Sequence, residues 1–122
     1  MEFIFTIGQT AKKIGINIGA IRFYERKGLL EAVERDENNN RLYSDYDIGW
    51  LHFIKCLRAT GMSVEEIKSY YELVKTGIST LPERTRLIED QRKKLLEEIE
   101  VKRVQLVHLD EKLERYYRGE NY

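Results

Sequence analysis

Apolar residues recur along this chain in short helical stretches closed by glycine, until the last third, where the spacing becomes a regular alternation of threes and fours. Four places pair a Ser or Thr with an acid or amide three residues on: Thr6 with Gln9, Ser44 with Asp47, Ser63 with Glu66 and Thr80 with Glu83. This is a helix-start signature, because the hydroxyl accepts a backbone N–H left unpaired by the first turn while the longer side chain reaches back to the cap. Gly15, Gly28, Gly61 and Gly77 each follow an apolar stretch and supply the left-handed residue that ends many helices, and Pro82 sits where a first-turn proline is tolerated. The pattern predicts helices over about 6–14, 18–27, 44–60, 63–76 and 81–118. Between the second and third lies an extended stretch, 29–43, in which two short strands flank the polar tip Asp36-Glu37-Asn38-Asn39-Asn40, a composition that favours turns.

The last helix carries a seam. Leu81, Ile88, Leu95, Leu109 and Tyr116 recur at sevens, and Ile99, Leu106 and Leu113 form the interleaved row. A lone helix cannot bury such a stripe on itself. The two options are a fold back onto its own domain and pairing with a second chain, and the regular spacing predicts the second, with Arg92 and Lys102 interrupting the seam as polar residues that fix register. The expected organisation is therefore mostly α: a helix-turn-helix with a small β wing and further helices over 1–77, then a dimerisation helix over 78–122 that pairs as a coiled coil.

Composition narrows the function. At 122 residues the chain holds one compact domain and a protruding element, with no room for a separate catalytic domain of ordinary size. Formal net charge is zero, which excludes a chain-wide basic coat, yet Lys12, Lys13, Arg22, Arg26 and Lys27 fall in one stretch opposed only by Glu25. No apolar run is long enough to span a bilayer and the first ten residues lack a signal-peptide pattern, so a cytoplasmic location with no membrane partner is expected. One cysteine, Cys56, leaves no cluster for a metal. Neither a nucleophile with base and orienting acid nor a phosphate-cradling glycine loop is present, so neither an enzyme nor a cofactor is expected.

Ala11, Gly15 and Ile21 supply the small packing residue, the turn residue and the inner-face apolar residue of a helix-turn-helix. The second helix can be capped by Asn17 and exposes Arg22, Tyr24, Arg26 and Lys27, with Gly19 and Ala20 small enough for its start to approach a groove. The runs Phe5-Thr-Ile-Gly-Gln-Thr-Ala, Ile21-Arg-Phe-Tyr-Glu-Arg-Lys-Gly-Leu-Leu, Asn40-Arg-Leu-Tyr-Ser-Asp-Tyr-Asp and Phe53-Ile-Lys-Cys-Leu-Arg-Ala-Thr-Gly-Met-Ser-Val-Glu-Glu-Ile resemble, in order, the MerR family of bacterial transcription regulators. The resemblance implies a winged helix-turn-helix with a second helical wing over 1–77 and an antiparallel coiled coil of the 78–122 helices, with double-stranded promoter DNA, a second copy of the chain and RNA polymerase as partners, and activation by bending and untwisting a promoter whose spacer is overlong. It also implies that Arg22 and Tyr24 are recognition-helix contacts, that Arg41 and Tyr43 are wing contacts to the DNA backbone, and that Thr6 opens a helix meeting phosphate.

Cys56 in this setting resembles a small single-cysteine subgroup linked to aldehyde, electrophile or nitrosative stress. His52 lies one turn earlier, and Lys55 and Arg58 flank the cysteine; cationic neighbours in general favour the reactive thiolate. The alternative is a buried cysteine acting as a small hydrophobe. Trp50, Phe53, Tyr70 and Tyr71 either line a small pocket or form core. The rival to a DNA-binding regulator is a coiled-coil scaffold that leaves DNA alone, a role with no use for Arg22, Arg41 and an asparagine-rich wing.

Overall fold

A computed structural model describes residues 2–31 and 34–122. The order is β1 (Phe3–Thr6), α1 (Ile7–Ile14), α2 (Ile18–Arg26), β2 (Glu34–Arg35), β3 (Arg41–Ser44), α3 (Asp45–Ala59), α4 (Val64–Thr76), a 3₁₀ turn (Ile78–Thr80) and α5 (Leu81–Tyr117). Residues 32 and 33 of the extended stretch lie outside the described residues.

Three of the expected capping boxes form, at Thr6/Gln9, Ser44/Asp47 and Ser63/Glu66, each with both reciprocal bonds. The fourth does not. The Thr80 hydroxyl instead shares its one hydrogen between the carbonyls of Leu73 (2.6 Å) and Gly77 (2.7 Å), and accepts from Arg84 Nε at 2.9 Å. The hydroxyl serves the unpaired carbonyls at the end of α4, which need donors as much as the start of α5 needs acceptors. The first turn of α5 is thereby tied to the end of α4, and it belongs to the first of two compact units, Met1–Arg84 and Thr85–Tyr122.

In the first unit, Gly15 (φ +80°) ends α1 with its N–H on the Ala11 carbonyl, in a left-handed conformation that would strain any side chain. The tight corner lets α1 and α2 pack with Ala11, Ile14 and Ile21 buried. These join Leu29, Leu30, Leu51, Ile54, Leu57 and Ile67 in a single core. The Trp50 indole N–H donates to the Leu29 carbonyl at 2.7 Å, fixing the exit of α2 onto α3.

The wing is larger than expected. β1, unforeseen in the sequence, pairs antiparallel with β3 (Phe5 opposite Tyr43, Thr6 opposite Leu42), and β2 pairs with the other edge of β3, giving the order β1-β3-β2. The asparagine-rich tip is an Asp36 turn: its carboxylate accepts the backbone N–H groups of Asn38 (2.9 Å) and Asn40 (2.8 Å), while Asn39 takes φ +64°. Asn is among the few side chains that tolerate that backbone.

The second unit is the remainder of α5. Ile99, Leu106, Leu109, Leu113 and Tyr116 of the seam are each at least 45% exposed on the chain, and Leu81, at the start of the helix, is 46% exposed; Ile88 and Leu95 are half-buried. Among the described residues no helix is long and apolar enough to cross a membrane.

Candidate nucleic-acid interface

The start of α1, one face of α2 and the wing converge on an open groove of about 460 Å³ lined by Thr6, Ile7, Arg22, Arg26, Arg35, Asn39, Asn40 and Arg41. Each element contributes for a local reason. The Thr6 hydroxyl and Gln9 amide are spent on the capping box, at 3.2 and 2.9 Å, so what α1 offers the groove is its N-terminal end, the positive pole of its dipole. Arg22 and Arg26 stand one turn apart and share a face of α2. Arg35 and Arg41 sit opposite each other across the β2–β3 ladder. Arg35 Nη1 also donates to the Asn39 carbonyl at 2.8 Å, bracing the tip of the wing. Four guanidinium groups and no carboxylate line the groove, so a chain with no net charge still concentrates positive charge on one surface.

The acid nearest these arginines stands behind them. Glu25, on α2, accepts from the Tyr43 hydroxyl and pairs with the Arg41 guanidinium; its side chain is 6% exposed and that of Arg41 is 40% exposed. Tyr43, expected to face DNA, is fully buried instead, its phenol turned inward onto Glu25, a part-buried carboxylate that needs a donor there. Burial pushes the Tyr43 hydroxyl above its usual pKa and the Asp47 carboxylate adds to the rise, against the opposing charges of Arg41, Arg22 and Arg35.

Of the other expected contacts, Asn17 caps α2, its Oδ1 accepting the Ala20 N–H at 2.7 Å. A Cβ at Gly19 would lie 3.2 Å from that oxygen, so the glycine keeps the cap unobstructed. Tyr24 is half-buried with its ring edge-on to Phe23 at 5.8 Å, and exposed Lys27 lies over the Phe23 ring at 5.7 Å. Asn17, Tyr24, Lys27 and Tyr43 are outside the groove lining, whereas Thr6, Arg22, Arg26 and Arg41 are brought together in it. Arg35, Asn39 and Asn40 were missed as site residues. Their signal was available in a basic residue and turn-forming amides at a wing tip, but nothing local ties Arg35 to α2.

Cys56 is exposed on α3, as is His52, and no hydrogen bond joins the two side chains among the described residues. The flanking cations are engaged elsewhere: Lys55 Nζ donates to the Ile14 carbonyl (3.1 Å) and Arg58 Nη1 to the Met62 carbonyl (2.9 Å). Trp50 stacks on Tyr71 and Tyr70, 5.2 and 6.0 Å between ring centres, and Phe53 is tilted against Trp50 and Tyr70.

Comparison with known proteins agrees with this architecture. The family profile described as "MerR HTH family regulatory protein" matches residues 5–73, and a second, "MerR, DNA binding", matches residues 48–116. An uncharacterized HTH-type transcriptional regulator of Haemophilus influenzae is 44% identical over 89 residues, 73% of this chain and 66% of its own length. The HTH-type transcriptional regulator AdhR of Bacillus subtilis is 38% identical over 91 residues, 75% of this chain and 65% of its own. The chain thus spans just under two thirds of the length of these relatives. Among solved structures, HiNmlR, described as a MerR family regulator lacking the sensor domain and bound to promoter DNA, superimposes with a TM-score of 0.83 at 39% identity, covering 94% of this chain and 91% of that one. With two family profiles each matching more than half the chain and a helix-turn-helix that carries its arginines on one groove, this protein belongs to the MerR family of DNA-binding transcription regulators.

Proposed function

We propose that this chain is a homodimeric, sequence-specific regulator that binds double-stranded promoter DNA, distorts it, and acts on RNA polymerase at that promoter from the cytoplasm. The observation that carries the reading is the groove in which Arg22, Arg26, Arg35 and Arg41 converge with no acid in the lining. A surface of that kind suits phosphate, since Arg presents a fork of donors to it and the start of α1 adds a dipole. The apolar seam left exposed on α5 supports a second copy as the partner, and two grooves held on one symmetric dimer can meet phosphates on both sides of a site while the DNA between them deforms. A scaffold that ignored DNA would gain nothing from four clustered guanidinium groups and would suffer their mutual repulsion.

The test is binding of the purified protein to the DNA upstream of its own gene across a salt series. With four arginines in each of two grooves, log K against log salt is expected to fall with a slope of about −7 if all reach phosphate. Arg22→Ala, removing one from each chain, reduces the slope by about 2 and weakens binding to a two-fold symmetric footprint. An Arg22→Ala protein that binds like the parent refutes the assignment of the groove.

The exposed thiol of Cys56 supports a thiol response as the signal. A thiol-reactive aldehyde is expected to change transcript output from the bound promoter in the parent and to leave Cys56→Ala unaffected; equal responses in both would move Cys56 to a structural role.

A further inference from the structure

We infer that Glu25 is a positioning residue for DNA binding: it holds the Arg41 guanidinium in place at the edge of the groove and couples the recognition helix to the wing. The inference rests on the DNA-binding reading of that groove and deepens it.

Glu25 lies on the same helix as Arg22 and Arg26 but faces inward, with a side chain only 6% exposed. A buried carboxylate carries a large desolvation cost unless its oxygens are matched by donors. Both donors come from β3: the Tyr43 hydroxyl accounts for Oε1 and the Arg41 guanidinium for Oε2. Tyr43 and Arg41 stand two apart on the strand, and together they tie the centre of the wing to the last turn of α2. Arg41 is therefore held at one end and open at the other, since its side chain is still 40% exposed and lines the groove. A guanidinium has five N–H donors in a rigid fork, so it can keep Glu25 on one side and meet a phosphate oxygen on the other. Its rotamer is then largely fixed before DNA arrives, and less side-chain entropy is lost on binding.

This role makes an expectation opposite in sign to simple electrostatics. Glu25→Gln removes a negative charge from a surface that meets DNA, and charge alone would then tighten binding. The amide keeps an oxygen for Tyr43 but cannot pair with Arg41, so loss of positioning weakens it.

The experiment measures binding of the promoter fragment across a salt series for the parent, Glu25→Gln, Arg41→Ala and the double variant. Positioning predicts that Glu25→Gln weakens binding by about ten-fold, the scale of one charge-assisted hydrogen bond, lowers the salt slope by about 1 per bound chain, and adds nothing further in the Arg41→Ala background. Tighter or unchanged binding by Glu25→Gln overturns it. So does an equal loss in both backgrounds, which is what a purely structural defect would give even if the variant is less stable. Failure of the underlying DNA reading shows differently, as Arg41→Ala and Arg22→Ala proteins that both bind like the parent.

Discussion

Replacing Leu106 with alanine tests the seam of α5 most directly. Leu106 is 57% exposed on the single chain and sits in the row shared with Ile99 and Leu113. Full burial of a leucine side chain is worth roughly 1.5–3 kcal/mol, so covering the exposed part yields about 1.5 kcal/mol. A symmetric dimer makes that contact twice, giving about 3 kcal/mol, and at 1.4 kcal/mol per decade the dissociation constant rises about 100-fold. Sedimentation equilibrium over a dilution series reads this shift directly. The control is Val104→Ala: Val104 is 42% exposed, yet it stands two residues before Leu106, about 200° around the helix and off the seam. It is expected to change the constant by less than about three-fold, within the scatter of surface substitutions. Equal effects from the two variants would refute the register of the seam, and a parent protein that stays monomeric would refute pairing through it.

Three further outcomes are expected. Trp50→Phe deletes the donor to the buried Leu29 carbonyl and should cost about 1–3 kcal/mol in urea unfolding; a smaller loss would mean that water or a neighbour replaces the bond. Tyr43 and Tyr71 both have hydroxyl pKa values raised by burial, so the folded state holds their protons more tightly than the unfolded chain does. Stability should be intact below the usual tyrosine range and fall as pH rises from about 10 towards the folded values. Tyr43→Phe should flatten that decline, and an unchanged pH profile of the unfolding midpoint would count against the cause. Arg35→Ala should reduce the salt slope of DNA binding by about 1 per bound chain; an unchanged slope would assign Arg35 to bracing the wing through Asn39 alone.

Much of this protein was legible in its sequence, and the legible part shares one property. Capping boxes at Thr6, Ser44 and Ser63 and the left-handed stop at Gly15 are all set by groups within one or two helical turns of each other. Such interactions depend on spacing along the chain, so spacing reveals them. Arg22 and Arg41 were expected at one surface for a different reason, because their flanking runs resemble a known family, and Arg26 because it shares the exposed face of α2 with Arg22; the structure brings all three to one groove.

What only the tertiary structure decided concerns partners far apart in sequence. β1 is four residues with no period of its own, and it becomes a strand because β3, nearly forty residues on, offers it a free edge. Thr80 resembles a helix cap but turns to the stranded carbonyls of Leu73 and Gly77. Lys55 and Arg58 flank Cys56 along the chain yet reach to Ile14 and Met62. Tyr43 and Glu25 lie 18 residues apart, each an ordinary polar residue until the sheet packs on α2 and buries both. Local spacing fixes where helices start and stop because hydrogen bonds within a turn compete only with water. The direction a polar side chain takes is settled later, by whichever buried donor or acceptor the packed core would otherwise leave unmatched.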